Sequence, residues 1–225
     1  MPRRYDSGEV YRKSMDACVR FFVEKGYTST TLADICDAAD LSKSSFVNVF
    51  GSKEAILLEL TKFMFGNQFS TAFSLTDERA SPALAYAVET AIQLGITEYN
   101  ENIRDIYVEA YTLPDTSEFI HRSTAEKLYT IFHTYMPEHE EADFYFIELG
   151  TAGIMRNYMA HPSVPDFPIE KKLQVFLELS LSVFHVPLEE QRQIIRYVLQ
   201  LDIHDIALRV MNQLFRALQI EYTVS

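Results

Sequence analysis

Apolar residues recur along this chain at the three-and-four spacing of helical stripes, and capping residues, glycines and prolines cut the pattern into segments. The segmentation is tightest near the N-terminus. Within Tyr11 to Tyr27, Met15, Cys18, Val19 and Phe22 form the apolar side of an amphipathic helix, with Gly26 just past its end. Thr31 is a good N-cap, and Asp34, three residues on, completes a capping box. Leu32, Ile35, Cys36 and Ala39 then make one buried stripe, which predicts a short helix from Leu32 to Ala39. Ser42 caps a second short helix that must end by Phe50, because Gly51 suits the left-handed position after a helix. In that helix Phe46, Val49 and Phe50 turn inward. Lys43, Ser44, Ser45, Val47 and Asn48 are left on the other sides.

The remainder reads as longer helices. Ser52 caps one over Lys53 to Leu75, and Ser81-Pro82 opens another to about Asn100. Arg104 to Leu113 is shorter and is closed by Pro114. Asp115 with Glu118 then reads as a capping box that opens a helix to about Met136. Glu140 to Ala160, Ile169 to His185 and Leu188 to about Gln219 follow, the last with a break near Asp202. No strand pattern, repeat or low-complexity tract interrupts the series. The pattern predicts an all-α chain: a three-helix helix-turn-helix domain over residues 1–55, then a larger helical domain over residues 56–225.

Two short helices joined by a tight turn, the second showing only small and basic groups outward, form a reader of DNA. The order helix, Gly-Tyr, Thr-Thr, short helix, turn, Ser-Lys, short helix, Phe-Gly-Ser-Lys-Glu-Ala over residues 10–60 resembles the N-terminal domain of the TetR family of bacterial transcriptional repressors. The resemblance implies a repressor that is released from its operator by a small molecule bound in the larger domain. Candidate DNA contacts are Ser42, Lys43, Ser44, Ser45, Val47 and Asn48 in the major groove. Thr30, Thr31, Lys53 and a basic arm of Arg3 and Arg4 are candidates for the phosphates. Two positions depart from the family pattern. Asp40 stands where a turn glycine is usual, and Asp tolerates the left-handed conformation better than most residues. Val47 stands where a tyrosine usually meets the DNA backbone, and it can touch a thymine methyl instead.

Charge narrows this reading. The net charge is −12, yet the first 55 residues hold eight Lys/Arg and eight Asp/Glu, so the excess acid lies beyond them. An acidic chain excludes non-specific coating of nucleic acid, which needs a basic surface, and leaves room for a small docking face. A lone recognition helix touches few base pairs, so a homodimer on a palindromic operator is expected. Candidate interface residues are Gly150 and Gly153, whose small size permits close helix approach, with Leu173, Phe176, Leu177 and Ser180 on the apolar helix after them.

For the effector, aromatic residues near lone carboxylates supply the candidates Tyr107, Glu109 and Tyr111, and Phe144, Tyr145 and Glu148. A glutamate beside tyrosines can hold a lipophilic cation, although aromatic stripes at helical spacing more often form core. No apolar run is long enough to span a bilayer, and the start lacks the apolar core of a signal peptide, which predicts a cytoplasmic protein without a membrane partner. The two cysteines fall on buried stripes and are expected as free thiols. The six histidines include no His-x-x-x-His pair, and neither a phosphate-binding glycine loop nor a nucleophile elbow is present. No catalytic residue, metal site or cofactor is expected. A helical dimer acting as a protein-interaction adaptor, without sequence-specific DNA reading, is the alternative.

Overall fold

The computed structural model describes residues 7–75 and 81–217, and within them eleven α-helices and no β-strand. They are α1 (Ser7–Lys25), α2 (Leu32–Ala38), α3 (Lys43–Phe50), α4 (Lys53–Leu75), α5 (Pro82–Thr97), α6 (Glu101–Ala110), α7 (Pro114–Phe132), α8 (Glu141–Ala160), α9 (Ile169–Val183), α10 (Leu188–Val198) and α11 (Ile203–Ala217). The chain is all-α, a helix-turn-helix unit followed by a larger helical body.

In the first unit, Phe22 of α1, Ile35 of α2, Phe46 of α3 and Ile56 and Leu57 of α4 are fully buried against one another. The Tyr11 ring stacks on Phe50 at 5.1 Å, which ties α3 to α1. Cys18 and Cys36 are buried free thiols, and burial pushes the Cys18 thiol far above its ordinary range.

The body is built around α5. Its sequence, PALAYAVETAIQLGIT, is apolar nearly all round, and a helix of that kind belongs inside. It packs against α4, α6, α7, α8, α9, α10 and α11, with its alanines allowing close approach. Beside it, α7 and α8 form the most extensive helix pair. Lys172 of α9 is fully buried. Its ammonium is held by the Glu98 carboxylate at the end of α5 and by the carbonyls of His161 and, at 3.2 Å, Tyr158.

Several boundaries differ from the periodicity reading, among them the ends of the sixth and seventh helices, at Ala110 and Phe132. The sixth helix begins at Glu101 rather than Arg104, because the Asn100 side chain accepts from the Ile103 amide at 2.8 Å and starts the helix earlier. The seventh begins at Pro114 with Leu113 as an uncapped N-cap. Asp115 and Glu118 make no capping box there, and Glu118 instead accepts from Tyr145 and pairs with Arg122. The ninth stops at Val183, with His185 beyond it in the left-handed region.

Candidate nucleic-acid interface and helical cavity

The turn between α2 and α3 is set by local chemistry. The Thr31 hydroxyl accepts from the Asp34 amide at 3.2 Å, and Asp34 accepts from the Thr31 amide at 2.8 Å, which completes the expected capping box. Lys25 reaches the same carboxylate at 2.8 Å. That lysine, followed by the Thr31 hydroxyl and amide, holds the Asp34 carboxyl well below the usual carboxylate range. Asp40 takes the left-handed conformation, φ 52°, and Gly51 closes α3 at φ 80°. Ser42 caps α3 by accepting from the Ser45 amide at 3.1 Å, and its hydroxyl lies within 2.9 Å of the Ser44 and Ser45 hydroxyls.

Beyond that cap, α3 presents Lys43, Ser44, Val47 and Asn48 to solvent, with Ser45 half-buried. Phe46 alone is fully buried, while Val49 and Phe50 are half-buried and packed on the core. The outward face is thus short, polar and basic at its N-terminal end, with one apolar side chain, Val47, 43% exposed.

Two residues expected on phosphates point elsewhere. The Lys53 ammonium donates to the carbonyls of Tyr27 at 2.9 Å and Thr30 at 2.8 Å and sits 4.0 Å above the Tyr27 ring. Partial burial lowers its pKa. The Thr30 hydroxyl is buried and donates to the Gly26 carbonyl at 2.7 Å. Both hold the loop between α1 and α2 together. Thr31 remains on the surface. Arg3 and Arg4 lie outside the described residues.

The reading head is fastened to the body through α6. Asp105 accepts from the Thr28 amide at 2.7 Å and from the Thr28 hydroxyl at 2.8 Å. Asn102 donates to the carbonyls of Val23 at 3.1 Å and Glu24 at 2.9 Å, which lie in the last turn of α1. Gly26, at φ 86°, makes the approach possible, since a Cβ there would stand 2.9 Å from the Asp105 carboxylate.

The opposite end of α6 borders a hollow. Tyr107, Ala110 and Tyr111 line it with Met64 and Phe65 of α4 and Ile120 of α7. A second hollow, about 370 Å³ of empty space that is partly open to solvent, is lined by Tyr86, Glu89, Thr90, Glu148, Met155 and Phe176 among others. Gln93 and Tyr111 line both hollows, and the Tyr111 hydroxyl donates to the Gln93 side chain at 3.3 Å.

Of the residues expected at an effector site, Tyr107, Tyr111 and Glu148 line these hollows. Glu109, Phe144 and Tyr145 do not. Phe144 is fully buried against the Tyr129 ring, and Tyr145 donates to Glu118 at 2.8 Å, with Arg122 over its ring. Glu109 is half-buried. The periodicity reading missed Glu89. A carboxylate inside an otherwise apolar helix was the available signal.

The expected interface also divides. Leu173, Phe176, Leu177 and Ser180 of α9 are buried within the chain, because α9 turns this stripe toward the body. Gly150 and Gly153 of α8 are exposed, with nothing within 4 Å of a Cβ built on either. Phe146 and Leu149 of α8 are also exposed, as are Leu179 and Val183 of α9.

Residues 15–60 match the family described as bacterial regulatory proteins, tetR family. The N-terminal domain belongs to the TetR family. A further match is an uncharacterized HTH-type transcriptional regulator, YuxN, of Bacillus subtilis (strain 168), 29% identical over 105 residues. That match covers 46% of this chain and only 36% of the relative's own length. Among solved structures, the crystal structure of a gamma-butyrolactone receptor (ArpA like protein) aligns with a TM-score of 0.47 at 14% identity, covering 92% of this chain and 98% of that one.

Proposed function

We propose that this protein is a non-enzymatic, ligand-responsive transcriptional regulator of the cytoplasm that represses by binding a palindromic operator as a homodimer. The observation that carries the reading is the exposed face of α3, Ser42 to Asn48, presented by a TetR-family domain. Lys43 at the start of α3 reads a guanine edge, Asn48 and the serines meet further base edges, and Thr31 fixes register on the backbone. Val47 contacts a thymine methyl. Lys53 and Thr30 act from behind, by holding the loop that carries Thr31.

A small molecule in the hollows between α4, α5, α6, α7 and α8 releases the operator. Support comes from α6, which touches the hollow with Tyr107 and Tyr111 and the reading head with Asn102 and Asp105. A ligand that prefers one position of α6 therefore biases the head, and DNA biases the hollow equally. No helix among the described residues is long and apolar enough to cross a membrane, consistent with a protein that works on DNA.

The test is selection of bound duplexes from a randomised pool at two salt concentrations. A regulator enriches a twofold-symmetric sequence and loses affinity as salt rises. Lys43→Ala then relaxes preference at one position per half-site, by about 1–3 kcal/mol. A pool that emerges with no symmetric motif rejects this reading in favour of a protein-interaction adaptor.

A further inference from the structure

Among the described residues that line the two adjoining hollows, the charged side chains are Glu89 of α5 and Glu148 of α8, and the Lys127 ammonium of α7 stands 3.7 Å from the centre of the lining Phe65 ring. Both carboxyls are almost completely buried, at 2% and 4% exposure. A carboxylate in such a place needs a counter-charge or several donors, because burial without them is strongly unfavourable. Glu89 accepts a hydrogen bond from the Gln93 side chain through Oε1. Glu148 accepts from Thr151 through Oε2 at 2.8 Å, while its Oε1 stands 3.8 Å from His121 Nδ1, beyond a direct hydrogen bond. His121 Nδ1 is itself buried without a partner.

The walls around these groups are aromatic. Tyr86, Tyr111 and Phe176 line the hollow that holds both carboxyls, and Phe65 and Tyr107 line its neighbour. Aromatic faces and buried carboxylates attract the same class of guest, whereas an anion would meet two like charges.

We propose that the hollows take a lipophilic organic cation, its charge held by Glu89 and Glu148 and its body against the tyrosine and phenylalanine rings. This rests on the reading of the helical body as an effector domain and names the chemistry of that effector. Several charged or titratable groups face the two carboxyls. Lys127 of α7 acts on Glu89 from outside the lining, His121 of α7 acts on Glu148, and the carboxyls repel one another. Tyr86 and Tyr111 face them from α5 and α6 with neutral hydroxyls, held neutral by burial. Without a guest, burial pushes Glu89 up to about 7 and also raises Glu148. A bound cation favours the ionised forms, so affinity falls as pH drops below 7, by about tenfold per pH unit for the proton that must leave Glu89.

The experiment uses the full chain and three probes of similar size: benzyltrimethylammonium, whose charge does not titrate; pivalophenone, a neutral acceptor; and phenylacetate, an anion. Binding is followed by calorimetry at pH 6 and pH 8. The expected result is that the ammonium ion binds most tightly at pH 8, weakens at pH 6, and loses about tenfold or more in Glu89→Gln and in Glu148→Gln. The isosteric amide keeps the Gln93 contact, and the pH profile of the unaltered chain reports independently of either variant. Tighter binding of pivalophenone or phenylacetate, or an ammonium affinity unmoved by pH and by both substitutions, overturns the assignment. Operator selection on the same preparation separates the two readings. A selected palindrome without ammonium preference removes only the ligand class, and ammonium preference without a palindrome removes only the regulator.

Discussion

Replacing Lys53 by methionine keeps the alkyl stem beside the Tyr27 ring and removes the donor to two carbonyls, those of Tyr27 and Thr30. Lys53→Met is expected to lower unfolding free energy by about 2 kcal/mol in a urea titration. The salt slope of operator binding by the folded variant should stay unchanged. A slope reduced by about one, with an unaltered melt, would return Lys53 to the phosphates. The opposite case is Glu89, whose burial destabilises. Its folded pKa, about 7, lies above the unfolded value near 4.5, so the native state binds the extra proton between those pH values. Stability contributed by this residue is therefore lost as pH rises from 4.5 through 7. Glu89→Gln should gain stability over the unaltered chain at pH 8, by up to about 3 kcal/mol, and gain nothing near pH 4, as read from paired thermal melts. At this scale, side chains that act on their own neighbours were legible in the sequence: the Thr31–Asp34 box, the Ser42 cap, Asp40 at φ 52° and Gly51 at φ 80°. Lys53 was not. Its direction depends on where α4 starts relative to a loop more than twenty residues earlier, and nothing adjacent in the chain encodes that.

The element with the widest reach is α6, whose N-terminal half holds the end of α1 and whose C-terminal half walls the hollow. Asp105→Ala leaves the Thr28 amide without its acceptor, and Asn102→Ala frees two carbonyls at the end of α1. In the double variant the Thr28 amide should exchange with deuterium about five- to tenfold faster, matching the loss of about 1 kcal/mol expected for a half-exposed hydrogen bond. Affinity for a ligand in the hollow should be retained, whereas the ability of that ligand to release DNA should shrink. Full release with the clamp removed would place the coupling in another element, of which α4 is the obvious one because it joins head and body directly. Most helices were legible from periodicity because caps and prolines are local signals. The α6 start was misplaced by three residues because the Asn100 side chain caps the helix by accepting from the Ile103 amide. The inward stripe of α9 looked like a free apolar surface for a related reason. Periodicity identifies a buried stripe without saying whether the body or a second copy covers it.

At the scale of the whole molecule, the burial pattern among the described residues leaves a face on α8 whose composition suits a partner. Phe146 is 68% exposed and Leu149 44% exposed on α8, and Leu179 is 45% and Val183 39% exposed on the adjoining α9. Between the α8 residues, Gly150 and Gly153 offer open backbone, so another helix can lie close against this surface. The spacing Phe146, Leu149, Gly150, Gly153 is the three-and-four repeat of a single helical face. A twofold axis through such a face would set α8 against its own copy. On the proposed function, two heads must reach successive half-sites about 34 Å apart, so loss of this pairing is expected to cost operator binding. Leu149→Arg puts a charge where the two faces meet and touches nothing in the core, since Leu149 is already solvent-facing in the single chain. The variant should elute at the 26.0 kDa of one chain rather than at twice that mass, keep its helical signal, and lose operator affinity by far more than it loses half-site affinity. A variant that still elutes at twice the chain mass would move the interface off α8. One that becomes a single chain yet holds the full palindrome as before would separate DNA reading from dimerisation, and the acidic charge of the chain would make that hard to reconcile with a lone, eight-residue recognition helix.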